Sequence, residues 1–378
     1  MVGSGGAIDD TEESHGGNDT MKRTAFFALV LLGTALMLAS GGAPALGKDI
    51  LLQGMLHNKF NVLDGDKDEI VATIETRGKK VTNFTWDPKD LDKVYCITDW
   101  GQQIEQLDLA AKKVVRTFRL GGDGVKVRTL DIELNPANPN LLYALSLRQR
   151  WLSDEIVDMT PAVLVIDLTT EKVVKEIEIP RGCTNIIFGY DGSEFYVTGR
   201  DVHVYDPATG KQVNFLGLAH PTTTGVDPQI SLNIWRLHDQ SGMAMVLVGS
   251  LATANNLPYQ GYYTIDLKKK STEDSMRLVT DIGPLYNQFS AVVSPDRKYY
   301  YMVLNKVEKR DFATNRLLAT ADVDKSYYTI QISSDGKKVY LGGGGDSILV
   351  YDTETMKLLK RLDTPGDAVL THFRVQKR

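Results

Sequence analysis

Asp64, Asp66, Asp68 and Glu75 stand at the first, third, fifth and twelfth positions of DGDKDEIVATIE, the donor spacing of a calcium-binding loop. The sixth position holds Glu69 where the sharp turn needs glycine, and Ile70 to Ile74 reads as strand, so the stretch is expected to form a hairpin turn. Gly342 to Asp346, GGGGD, suggests a phosphate cradle but lacks the Lys-Ser/Thr pair and the following helix. It reads as a bend between two strands. His57, His203, His220, His238 and His372 show no paired metal spacing, and neither a Cys-x-x-Cys-His haem attachment motif nor a Ser-centred nucleophile elbow occurs. No catalytic, cofactor-binding or metal-binding residue is therefore assigned to this chain, although side chains distant in sequence could still converge.

The commonest chemistry-bearing residue is an aspartate that recurs in one phrase. An apolar run ends at Asp108, Asp167, Asp206, Asp266, Asp311 or Asp352; a few polar or small residues follow, and a second run begins. A unit returning roughly every 40 to 60 residues marks a repeat architecture. An aspartate at the junction of two strands accepts hydrogen bonds from its own turn, so these six are expected to shape turns rather than to catalyse.

Each unit parses into four short strands rich in Val, Ile, Tyr, Phe and Thr, bounded by Pro, Asp, Gly and Asn. Six units begin near Val81, Val127, Cys183, Ile230, Asn287 and Tyr327. Residues 49 to 76 supply about three strands more, and the leftover strand at 369 to 376 completes that first unit. The expectation is an all-β, seven-bladed β-propeller with four-stranded blades, its first blade closed by the C-terminal strand, because an open row of blades would expose strand edges.

The 378 residues are 42% hydrophobic and 24% charged, with a formal net charge of −5. That balance is globular, and it argues against non-specific nucleic-acid binding. Residues 21 to 47 run from Lys22 and Arg23 through an apolar stretch to small residues near Ala45 and Gly47. This is a secretory signal pattern, short of the roughly 20 residues a membrane span needs. Export to the periplasm with cleavage near Gly47 is expected. The polar, acidic residues 1 to 20 are unlike a signal's leading region, and translation is expected to start at Met21. The domain is thus 48–378. Cys96 and Cys183 fall in units that are not neighbours and are expected to be separately buried thiols.

In a propeller blade the first-to-second and third-to-fourth turns emerge on one face; the second-to-third turns and interblade connections emerge on the other. The long insertions 148–161 and 249–261 and the interblade loop 217–229 all belong to the second face. Long loops on a rigid scaffold are where function concentrates, which makes that face the expected binding surface. Five aromatics stand near it: Trp151, Trp235, Tyr286, Tyr327 and Tyr328 are the candidates for contact with a partner or a substrate channel.

At GSEFYVTGRDVHVYDPATG (192–210), LNIWRLHDQSGMAM (232–245) and KSYYTIQISSDGKKVYLGGGGDSILVYDTETMKLLKRLDTPG (325–366), the chain resembles the β subunit of quinohemoprotein amine dehydrogenase. The resemblance covers the C-terminal half in residues and the N-terminal blades in repeat pattern. Its more specific elements are Gly199-Arg200-Asp201, Trp235 to Gly242, and Ser326-Tyr327-Tyr328. It implies a periplasmic heterotrimer that oxidatively deaminates primary amines. The propeller would be a scaffold beside a diheme cytochrome c subunit and a small subunit bearing cysteine tryptophylquinone. The cofactors, quinone and haem c, would then lie on the partners and none on this chain. A stand-alone periplasmic binding propeller is the alternative, and a propeller lactonase or other hydrolase a more distant one.

Overall fold

A computed structural model of the protein describes residues 48–233, 237–273, 275–279 and 288–378. Seven antiparallel sheets follow one another along the chain. Blade 1 holds Asp49–Gly54, Lys59–Asp64 and Glu69–Glu75, and its innermost strand is Phe373–Lys377, paired to Asp49–Gly54 from the far end of the sequence. Blades 2 to 7 open with innermost strands Phe84–Asp87, Val125–Asn135, Cys183–Phe188, Ile230–Asn233, Gln288–Val293 and Thr329–Ile332. These starts lie within three residues of those read from the repeat.

Seven buried apolar clusters hold the blades together, and each joins one blade to the next. Ile50, Phe60 and Phe84 belong to the cluster of blades 1 and 2, and Ile97, Ile132 and Leu164 to that of blades 2 and 3. The series runs round until Tyr340, Ile348, Phe373 and Val375 join blade 7 to blade 1. Alternation along each strand sends side chains to both neighbouring blades, so one strand serves two clusters. Cys96 and Cys183 are free and buried in two such clusters, and burial pushes the Cys183 thiol up to about 12. Among the described residues no helix is long and apolar enough to cross a membrane.

Each innermost strand would present an unpaired edge to the central channel. Side chains from other blades cover these edges: Asn83 Nδ2 donates to Leu130 O at 2.8 Å, Gln260 Nε2 to Gln288 O at 2.7 Å, and Gln331 Nε2 to Phe373 O at 2.8 Å. Asp131 Oδ2 accepts from Ile186 N at 2.9 Å. Buried polar residues around the channel therefore satisfy backbone, as buried polar groups must.

The turn aspartates behave as their repeat implies. Asp167 Oδ1 accepts from the amides of Thr169 and Thr170, Asp206 from Ala208 and Thr209, and Asp352 from Glu354 and Thr355. Asp64 does the same for Asp66 and Lys67, which makes it the first blade's copy of the motif. The calcium-like spacing thus folds as a hairpin turn between Lys59–Asp64 and Glu69–Glu75. The glycine run sits in the bend between Lys338–Gly342 and Ser347–Asp352.

The two long insertions are built differently from the loops expected of them. Strand Asn138–Trp151 continues through the start of the first insertion, and its Gln149, Arg150 and Trp151 pair with Ile156–Asp158. The second is a hairpin paired out to Leu251 and Pro258. Both are strand extensions that satisfy their own backbone, so they stand out as rigid arms.

Candidate functional site

Two openings frame the molecule's channel axis. The lower one, on the face of the first-to-second turns, is a cavity of about 610 Å³ where the ends of the innermost strands converge. The His238–Gln240 segment of blade 5 reaches it, as does Arg374 of blade 1. Arg374 donates through Nε to Asp239 Oδ2 at 2.9 Å and through Nη2 to Asp239 Oδ1 at 2.6 Å. Its Nη1 reaches Phe84 O at 3.1 Å, and its guanidinium lies 3.9 Å from the Trp86 ring centre. Gln240 Nε2 adds a bond to Val375 O at 2.9 Å. The turn of blade 5 is thereby tied to the innermost strand of blade 1, beyond its own neighbours in the ring. Burial opposes the charge on Arg374, but Asp239, with Glu133 and Asp131 nearby, holds the guanidinium above its ordinary range. A bidentate, stacked, buried arginine is suited to fastening a structure.

The upper opening, on the face of the second-to-third turns, carries a cleft of about 760 Å³ between blades 2 and 3. Trp100, from the turn after strand Asp90–Thr98, and Trp151, at the end of Asn138–Trp151, both line it. They are 57% and 45% exposed. Lys80 Nζ lies 4.5 Å from the Trp100 ring centre and Lys126 Nζ 3.9 Å from that of Trp151. Arg128, Arg148 and Arg181 complete a cationic lining. Burial and the charge of Arg128 pull the Lys80 ammonium below the usual lysine range. Two exposed indoles beside clustered cations suit recognition rather than bond making.

The five aromatics read from the sequence separate here. Trp151 lines the upper cleft. Tyr328 is half-buried at the entry to Thr329–Ile332, its ring set edge-on to Phe289 at 5.1 Å. Tyr327 is fully buried in the cluster of blades 6 and 7, and its hydroxyl meets Asp324 Oδ1 at 3.0 Å and Ser347 Oγ at 2.9 Å. A ring so enclosed supports the blade. Trp235 and Tyr286 lie outside the described residues. Trp100 was missed, and its signal was a tryptophan in the tight turn Asp99-Trp100-Gly101. Among the described residues no group of three or more His, Cys, Asp and Glu is placed to hold a metal ion.

No family model matches the sequence, and no curated protein matches it. Solved structures do match the fold. A chain of Kuenenia stuttgartiensis hydrazine synthase aligns with TM-score 0.58 and 13% identity, over 83% of this chain and 96% of that one. A hypothetical selenium-binding protein from Sulfolobus tokodaii gives 0.63 and 12%, over 87% and 94%. The Cps50 (Swd1) β-propeller domain of Myceliophteria thermophila gives 0.55 and 14%, over 85% and 93%. At such identities the likeness is one of fold. The chain is a seven-bladed β-propeller.

Proposed function

We propose that this propeller is the non-catalytic subunit of a periplasmic quinohemoprotein amine dehydrogenase complex. Its role would be to scaffold a quinone-bearing small subunit and help enclose the substrate pocket, beside a diheme cytochrome c subunit. The observation that supports this reading most is that the resembling segments hold positions outside the repeat grammar. Asp201 accepts from the amides of Leu218 and His220, fastening an interblade loop. The segment that ends at Gly242 carries Asp239 to Arg374. Generic propeller spacing demands neither contact. Fold alone does not choose a function, since propellers host many.

The test is to purify the C-terminally tagged chain from its native source grown on amines, recording the visible spectrum and the co-purifying chains. Covalent haem bands with two further subunits are expected, together with amine-dependent reduction. A colourless, solitary chain would overturn the proposal and leave a stand-alone periplasmic binding propeller in its place.

A further inference from the structure

The upper cleft carries more organisation than a scaffold surface needs. Trp100 is held out by strained backbone: Asp99 has φ 52°, Trp100 has φ 60° and ψ 29°, and Gly101 has φ 92°. A left-handed conformation at a bulky residue is uncommon and unfavourable. Gly101 packs closely against blade 3, where an added Cβ would lie 2.6 Å from Thr129 O. The surroundings thus fix an exposed indole in an unfavourable backbone state. Facing it, the arm of Asn138–Trp151 exposes Trp151, Leu152, Ile156 and Val157.

The charges around the two indoles are unbalanced. Arg148 is paired to Glu176 at 2.5 Å and donates to Thr160 O; Asp158, the cleft's carboxylate, accepts from Gln149 Nε2 at 2.9 Å. Asp99 is taken by Arg119 at 2.7 Å. Among the described residues no carboxylate pairs with Lys126, Arg128 or Arg181, in a chain whose net charge is −5. Cations left over beside apolar surface complement an acidic partner that also carries apolar side chains.

We propose that this cleft docks an acidic segment of a partner protein, with carboxylates on Lys126, Arg128 and Arg181 and an apolar or aromatic side chain between Trp100 and Trp151. A nucleic-acid strand fits less well, because the chain carries a net charge of −5 and its cations here are gathered in one cleft rather than along a groove that could track a phosphate backbone. The inference rests on the reading of the upper face as a partner surface, though not on which partner occupies it.

The probe is a fluorescein-labelled poly(Glu,Tyr) copolymer, titrated by anisotropy with the purified mature chain, while indole fluorescence reports the tryptophans. Saturable binding that weakens with salt is expected. Arg128→Glu combined with Arg181→Glu should weaken it at least tenfold, and Trp151→Ala several-fold, with circular dichroism unchanged because all three side chains are exposed. Absence of saturable binding, or equal binding by the charge-reversed variant, would overturn the proposal. So would tighter binding of an oligo-dT strand than of the copolymer. A solitary, colourless chain that still binds the copolymer would retain the cleft and lose the dehydrogenase reading.

Discussion

Tyr327 illustrates how one hydroxyl decides a residue's role. Burial pushes its phenol up to about 12, so it remains a hydrogen-bond donor throughout the physiological range. Replacing it with Ala removes a fully buried ring from the cluster of blades 6 and 7 and should cost about 3–5 kcal/mol. Tyr327→Phe keeps the ring and should cost only about 1 kcal/mol, the value of a hydrogen bond whose partner Asp324 retains Arg361. Trp151→Ala, at an exposed position, should fall within about 0.5 kcal/mol of the parent. Urea unfolding of the three variants checks the order. A Tyr327→Ala protein as stable as Trp151→Ala would show that the ring is not part of the core.

At the scale of the element, the turn between third and fourth strands is one device used seven times. Its aspartate caps the turn, and the residue four positions on takes positive φ: Asp68, Lys112, Glu171, Gly210, Lys270, Asn315 and Met356. Backbone amides of the turn hold Asp167, Asp206, Asp311 and Asp352 below the ordinary carboxylate value of 3.8. Asp266 is lowered too, against the effect of its burial, chiefly by Arg297. A folded-state value below the unfolded one means that the stabilisation is present above about pH 3.8 and is lost as pH falls through the lowered values. Thermal unfolding should thus be flat near neutrality and decline below about pH 4. Asp167→Asn with Asp352→Asn should make the decline shallower, and an unaltered slope would contradict the capping account. These turns were legible in the sequence because capping is local chemistry repeated at one spacing. The arm at 148–161 was not, because Arg148-Gln149-Arg150-Trp151 lacks the polar/apolar alternation of a half-buried strand: both faces of the arm's tip are wet. The upper cleft was half legible, through Trp151, since its other wall comes from a different blade.

Over the whole molecule, the decisive contacts join residues far apart in sequence, which no local pattern reveals. Phe373–Lys377 supplies the innermost strand of blade 1, Phe373 and Val375 fill the cluster between blades 7 and 1, and Arg374 meets Asp239 across 135 positions. A chain ending at His372 would lose all three at once and leave Asp49–Gly54 with an open edge that can template self-association. We expect it to aggregate and to lose its cooperative unfolding transition, and a peptide of residues 369–378 added in trans to restore part of it. Arg374→Met separates the two contributions: it keeps the strand and its backbone pairing but leaves the Asp239 carboxylate without its bidentate partner, at a cost of about 3–5 kcal/mol. If the truncated chain stayed monomeric and unfolded like the Arg374→Met variant, the arginine clamp rather than the strand would be what closes the ring.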